Sequence, residues 1–108
     1  ALQIRTLCEH LGGQYTESGT YPAWEYKQKS KLRDVMVAVY EELYGGKPKL
    51  DVIHAGVECG LFMDKMKDLD CVSYGPQMYD IHTPNERLHV DSVQRTWEYT
   101  LEILKRLK

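Results

Sequence analysis

The chain has 108 residues, of which 43% are hydrophobic and 28% are charged, a composition typical of a globular protein with one modest core. Its formal net charge is −2, with acids and bases interspersed, which excludes the basic surface that nucleic-acid phosphates require, so we expect no nucleic-acid partner. No run of about 18 apolar residues occurs, so we expect no membrane-spanning helix.

The start of the chain and its cysteines indicate whether it is part of a longer polypeptide and which cellular compartment it occupies. Residues 1–5 begin inside a helical pattern, with neither an initiator Met nor a signal peptide, which indicates a piece of a longer polypeptide. The three cysteines form no CxxC pair, so neither a zinc finger nor a thioredoxin-like site is predicted. Free, mostly buried thiols are typical of a reducing compartment, and we expect a cytoplasmic protein.

Apolar residues recur at helical spacing in four segments, which predicts four helices. These helices are expected over residues 4–11, 32–43, 61–66 and 93–107. Ser30 is the predicted N-cap of the second helix, and Gly45 is expected to end it.

Apolar or aromatic segments lie between these helices and predict strands. Residues 14–26 predict a strand followed by a loop, and residues 50–55 and 71–74 predict two short strands. Because strands alternate with helices, we expect an α/β fold with a sheet layered between helices.

Two helix-start signals follow the last predicted strand. Thr83, Pro84 and Glu86 match a capping box with proline at the first helical position. Asp91, with Gln94 three residues later, predicts a second start, that of the last helix.

His82 is the strongest candidate for a metal ligand among the four histidines. It lies just beyond the predicted strand 71–74, where open α/β sheets bind ligands. A metal-bound histidine needs an acceptor for its second ring nitrogen, and Asp80 or a nearby carbonyl could supply it. The alternative is a histidine held by structural hydrogen bonds, and the local pattern alone favours that alternative.

The segment after the predicted strand 50–55, the central one of the three, contains a second candidate site. Gly56 would let the backbone approach a ligand closely, and the Glu58 carboxylate could face a substrate ammonium group. The alternative is a tight turn with a glutamate near the positive end of a helix dipole. For His54, a structural role is favoured. A thiol nucleophile at Cys59 is not favoured, because no residue is assigned to orient the base that would activate it.

Several motifs in order along the chain carry a resemblance to a known family. They are Tyr-Pro-Ala-Trp at 21–24, Ile-His-Ala-Gly-Val-Glu-Cys-Gly-Leu-Phe at 53–62, Ser-Tyr-Gly-Pro at 73–76, Asp-Ile-His-Thr-Pro-Asn-Glu-Arg-Leu at 80–88 and Ser-Val-Gln-Arg-Thr-Trp at 92–97. Together they resemble the aminoacyl-histidine dipeptidases, also called Xaa-His or cytosol non-specific dipeptidases. This group belongs to the zinc peptidase family that includes aminoacylase and carnosinase.

The resemblance implies roles for the candidate residues. His82 would be the last metal ligand of the family, bound to one of two zinc ions, or other divalent metals, that share a bridging carboxylate and a water. Glu58 and Gly56 would belong to the substrate pocket. The reaction implied is hydrolysis of unblocked dipeptides, including Xaa-His, by a zinc-activated water.

The resemblance also implies a domain organisation. Residues 1–27 would be the tail of a lid or dimerisation domain, and residues 28–108 the C-terminal part of a catalytic domain in a homodimeric enzyme. The other ligands and the general base would lie on a missing N-terminal part of the polypeptide. This chain would then hold no catalytic residue and be inactive alone. The alternative is a free-standing, non-catalytic interaction or dimerisation module.

Overall fold

The computed structural model describes residues 2–53 and 58–108. In chain order its elements are α1 (Leu2–His10), α2 (Lys31–Tyr44), α3 (Glu58–Lys65), β1 (Met78–Tyr79), β2 (Arg87–Leu88) and α4 (Val90–Arg106). The four predicted helices are confirmed, although α3 begins three residues before the predicted start. No helix within the described ranges is long and apolar enough to cross a membrane.

The start of α2 is held by side chains from two distant parts of the chain. The Ser30 hydroxyl accepts a hydrogen bond from the Arg33 N–H at 3.0 Å, which confirms Ser30 as the N-cap. One oxygen of Asp70 accepts from the Ser30 hydroxyl at 2.7 Å, and the other accepts from the Leu32 N–H at 3.0 Å. These bonds tie the chain around residue 70 to the beginning of α2.

The core of the molecule lies where α2 packs against α4. Its buried hydrophobic residues are Met36, Val39, Tyr99 and Ile103, and Val39 is fully buried. The Tyr99 hydroxyl donates a hydrogen bond to the Met36 carbonyl at 2.7 Å. Burial raises the pKa of Tyr99 to about 12, with smaller contributions from neighbouring tyrosines, because a charged phenolate is disfavoured in this apolar setting.

The strands predicted before residue 75 are absent from the described part of the chain. Residues 14–26, 50–53 and 71–74 form no ladder there, and the sheet consists of β1 and β2 alone. Residues 54 and 55 of the predicted central strand lie outside the described residues. Apolar alternation shows that a segment suits a sheet, but a strand also needs a neighbour to bond with.

The helix predicted at the capping box is also absent. The residues from Thr83 to Glu86 form a turn between β1 and β2. The Glu86 carboxylate reaches back as a capping-box glutamate would, but it accepts from the His82 N–H rather than from Thr83. The last helix therefore has a single start at Val90, with His89 rather than Asp91 at the cap position and no side-chain cap bond.

Candidate functional site

His82 lies in the turn that closes a short antiparallel hairpin. The strands pair Met78 with Leu88 and Tyr79 with Arg87, and residues 80–86 connect them. The His82 side chain is exposed in this turn. The hairpin thus presents at its tip an imidazole, the side chain that most commonly binds metal ions in proteins.

The backbone of this turn has an uncommon conformation. Asp80 has φ of 52° and His82 has φ of 64°, in the left-handed region that residues other than glycine adopt at a cost. Thr83 holds the backbone at Asp80, because the Thr83 N–H and hydroxyl donate to the Asp80 carbonyl at 3.2 and 2.7 Å. Glu86 holds the backbone at His82, because the Glu86 carboxylate accepts from the His82 N–H at 2.8 Å.

The Asp80 carboxylate has a partner across the hairpin. Its Oδ2 atom accepts from the Arg87 guanidinium at 2.7 Å, and that guanidinium lies 5.7 Å from the centre of the Tyr79 ring. Both charged side chains are largely exposed, so the ion pair contributes little stability. Support of the His82 ring by Asp80 stays a prediction, since the described contact of this carboxylate is with Arg87.

The base of the hairpin is anchored to the start of α4. The His89 N–H donates to the Gln77 carbonyl at 2.9 Å. The buried Ser92 hydroxyl accepts from the Gln77 N–H at 2.8 Å and donates to the His89 carbonyl at 2.6 Å. Since α4 packs on α2, these bonds connect the position of the turn to the core.

Glu58, the other predicted site residue that the structure describes, has no described contact with His82. Glu58 lies in the first turn of α3 and is exposed, which is the helix-dipole position of the alternative interpretation. Gly56 and His54 lie outside the described residues. The substrate-binding role of Glu58 and Gly56 therefore stays a prediction.

Within residues 2–53 and 58–108, no group of three or more His, Cys, Asp or Glu side chains could hold a metal ion. His82 offers one donor, whereas a catalytic zinc takes about three protein ligands. Two cavities of about 490 and 570 Å³ lie elsewhere, beside α2 and the extended segments, and their linings include neither His82 nor Glu58. The described residues therefore suit one ligand position of a metal site.

Sequence reasoning missed the two residues that fix this turn most directly from outside it. In the sequence both residues stand out only as parts of longer motifs, yet the Arg87 guanidinium donates to Asp80 and the Ser92 hydroxyl accepts from the Gln77 N–H. One signal for the turn was available, because Asp and His are among the non-glycine residues enriched at positive φ. The pattern Asp80-x-His82 carries both.

Comparisons with known proteins identify two relatives of this chain. The chain is 37% identical over 98 residues to the cytosol non-specific dipeptidase of Escherichia coli (strain K12), covering 90% of this chain and 20% of that protein. Its fold matches the crystal structure of aminoacylhistidine dipeptidase from Vibrio alginolyticus with a TM-score of 0.79 and 36% identity, covering 96% of this chain and 21% of that one.

The chain thus spans about a fifth of the length of these two relatives. The likeness confirms the predicted fold class at the level of a fragment of the aminoacylhistidine dipeptidase fold, here helix-rich with a two-stranded sheet. Residues 13–106 match the family model described as Peptidase family M20/M25/M40. Since that match covers most of the sequence, the chain belongs to this peptidase family.

Proposed function

We propose that residues 28–108 form the C-terminal part of the catalytic domain of a metal-dependent dipeptidase, after a lid-domain tail at residues 1–27, and that His82 binds one of two zinc ions there. The observation that carries the proposal is the exposed imidazole of His82 at the hairpin tip, on a backbone held by Glu86 and by Thr83. Membership of a peptidase family makes hydrolysis the chemistry to test. The alternative of an interaction module without chemistry is not favoured by that membership.

The residues present fit zinc as a partial ligand set. An exposed neutral imidazole is a normal zinc ligand, and the remaining ligands and the general base would come from a part of the polypeptide outside this segment. When bound, zinc would polarise the scissile carbonyl and lower the pKa of a water. His82 would fix the metal position, and Asp80 would orient the imidazole through its second nitrogen.

The substrate side of the proposal concerns the segment before α3. The Glu58 carboxylate is exposed at the start of α3 and would bind the free ammonium group of a dipeptide. Gly56 would let the backbone approach the substrate without a side chain between them. By analogy with the names of the two relatives, the substrates would be dipeptides, including Xaa-His, and the full enzyme would be cytoplasmic. The resemblance in the sequence further implies that the dipeptides are unblocked and that the full enzyme is a homodimer.

The first test uses the 108-residue chain itself. Because one imidazole cannot make a catalytic zinc site, we expect no dipeptide hydrolysis and only weak zinc binding. Turnover of Xaa-His dipeptides can be followed by amino-acid release, and bound zinc by elemental analysis after dialysis. Robust turnover with stoichiometric zinc would contradict this assignment.

The second test places the chain in a complete enzyme. In a chimera, this chain replaces the matched segment of the Escherichia coli dipeptidase, and His82→Ala is compared with His10→Ala. Loss of a ligand should lower kcat/KM by about a hundredfold or more, since even indirect partners of a metal ligand cost up to about a hundredfold. His10 is exposed on α1, outside the residues that match the family, and its variant should stay active. An active His82→Ala chimera with a full zinc content would refute the role of His82.

A further inference from the structure

Helix α3 approaches an extended segment so closely that only glycine fits at the contact. Among the residues of α3, all of which the structure describes, Gly60 alone is buried. A Cβ atom at position 60 would lie 2.7 Å from the Pro22 carbonyl oxygen and 3.7 Å from the Trp24 Cβ atom. The first distance is well short of a van der Waals contact, so the backbone of residues 22–24 leaves no room there for a side chain.

The backbone conformation at position 60 does not by itself require glycine. Its φ lies outside the left-handed region, which Gly12, Gly19 and Gly45 occupy among the described glycines. Inside a helix, glycine is less stable than alanine because it loses more conformational freedom on folding. The close approach to Pro22 is therefore the physical reason for a glycine at this position.

The place of α3 in the molecule depends on extended segments rather than on other helices. Within residues 2–53 and 58–108, α3 packs on no other helix or strand, and its Leu61 and Phe62 side chains are exposed. Met63, one turn after Gly60, is half-buried and lines the cavity of about 570 Å³ together with Trp24. The face of α3 with positions 60 and 63 therefore lies against residues 22–24.

We propose that Gly60 is a positioning residue for the substrate, because its contact with Pro22 sets the place of the Glu58 carboxylate. The inference rests on the proposed function, in which Glu58 binds the ammonium group of a dipeptide. Glu58 lies two residues before Gly60 in the same helix, about 3 Å away along the axis and about 200° around it. Glu58 thus points away from residues 22–24, in agreement with its exposure, and the helix turn transmits a shift at Gly60 to the carboxylate.

A single methyl group at position 60 changes this geometry in a defined direction. To relieve the contact at 2.7 Å, α3 has to move away from Pro22 by roughly 0.7 Å, toward the side on which Glu58 stands. A misplacement of about 1 Å can cost an enzyme up to about a hundredfold in rate. The expected result is a weaker grip on the ammonium group with the rest of the site intact.

The experiment compares variants of the Escherichia coli chimera: Gly60→Ala, Glu58→Gln and the two combined. Gly46→Ala is the matched control, because a Cβ atom there meets nothing within 4 Å and its φ lies outside the left-handed region. The KM for alanyl-histidine and the Ki for propionyl-histidine, as a competitive inhibitor, are measured for each variant. The two compounds differ only in the ammonium group, and loss of folded enzyme lowers kcat without changing KM or Ki.

We expect Gly60→Ala and Glu58→Gln each to raise the KM for alanyl-histidine by about tenfold, through the loss of one charge-assisted hydrogen bond. The Ki for propionyl-histidine should stay unchanged. The double variant should have the same KM as Glu58→Gln alone, because both substitutions act on one interaction. Gly46→Ala should match the parent chimera in both constants.

If Gly60→Ala prevents the chimera from folding, Met63→Ala takes its place. This substitution loosens the same face of α3 by removing atoms rather than adding them. It should likewise raise the KM for alanyl-histidine and leave the Ki for propionyl-histidine unchanged.

Three outcomes would overturn the inference, and they separate it from the proposed function. A joint rise of KM and Ki in Gly60→Ala, or losses that multiply in the double variant, would show that position 60 acts without Glu58. An unchanged KM in Gly60→Ala beside a raised KM in Glu58→Gln would leave the substrate role of Glu58 intact. An unchanged KM in Glu58→Gln would refute that role and the inference with it, while the zinc content of the chimera still tests His82.

Discussion

The two faces of α4 differ sharply in how far the chain buries them. On the face that packs with α2, Ile103 is 4% exposed, whereas its neighbour Leu104 on the opposite face is 56% exposed. Both are aliphatic residues in the same turn of the same helix. The difference shows that composition and helical spacing identify apolar faces, while the presence of a neighbour decides which face contributes to stability in this chain.

The same contrast separates the helix pair from the extended segments. The four buried hydrophobic residues of the core all lie on α2 and α4. Leu50, Val52 and Ile53 belong to a segment that was predicted to be a central strand, and all three are exposed. Within the described residues, α2 and α4 pack against each other, whereas the predicted strands pair with no other strand.

The largest expected effect comes from truncating each face of α4 in turn. Ile103→Ala should lower the free energy of unfolding by about 3 kcal/mol, because it removes a buried side chain and leaves a cavity. Leu104→Ala, the matched control, should change it by less than about 0.5 kcal/mol, because the side chain is exposed. Urea denaturation of the 108-residue chain measures both. Equal losses of unfolding free energy in the two variants would show that the face of α4 with Leu104 is already covered in the isolated chain.

The next effect concerns the bond between distant segments at the start of α2. Asp70→Ala should cost about 1–2 kcal/mol, because the Ser30 hydroxyl and the Leu32 N–H lose their acceptor. Asp68→Ala is the control, since Asp68 is exposed nearby and no described hydrogen bond uses its carboxylate. A similar loss in both variants would mean that local charge, rather than the cap, stabilises α2.

The Asp70 contribution should depend on pH. Burial acts to raise the pKa of Asp70, but the hydrogen bonds from Ser30 and Leu32 together with Lys27 and Arg33 outweigh it and lower the pKa from 3.8. A carboxyl group with a lowered folded-state pKa contributes stability above its unfolded pKa and loses it as the pH falls through the folded value. The difference between wild type and Asp70→Ala should therefore be complete at neutral pH and shrink below about pH 4.

The sequence predicted the helices well and the sheet poorly, for a physical reason. Helices bond internally, so Ser30 and Gly45 are sufficient signals for the ends of α2, and both are confirmed in the structure. A strand bonds to another strand, so residues 71–74 show a suitable pattern without showing whether a partner exists. The capping box at Thr83 was wrong because the same residues also satisfy a turn.

For the site, the resemblance identified His82, whereas local reasoning favoured a structural histidine. The geometry adds what neither predicted: a left-handed backbone at Asp80 and His82, held by Thr83 and by the Glu86 carboxylate. Turn conformation depends on several side chains bonding at once, and a pairwise motif search does not capture that. The role of Glu58 and Gly56 remains a prediction that the chimera can test.

The smallest expected effect tests why an imidazole occupies position 82. The backbone there has φ of 64°, which costs a non-glycine residue about 1 kcal/mol. His82→Gly should therefore be about 0.5 kcal/mol more stable than His82→Ala in urea denaturation of the 108-residue chain, because the lower entropy of unfolded alanine offsets part of the strain. Both variants lose the imidazole, so the difference between their free energies of unfolding reports on the backbone conformation at position 82.

Asn85→Gly compared with Asn85→Ala is the control for this measurement, because Asn85 is exposed in the same turn and does not have a positive φ, so glycine gains nothing there. If His82→Gly is the more stable variant yet the corresponding chimera loses its zinc and its activity, stability alone cannot explain the histidine, and its chemistry must. If glycine is no more stable than alanine, the left-handed turn is not the conformation in solution, and the geometry proposed for the metal ligand fails with it.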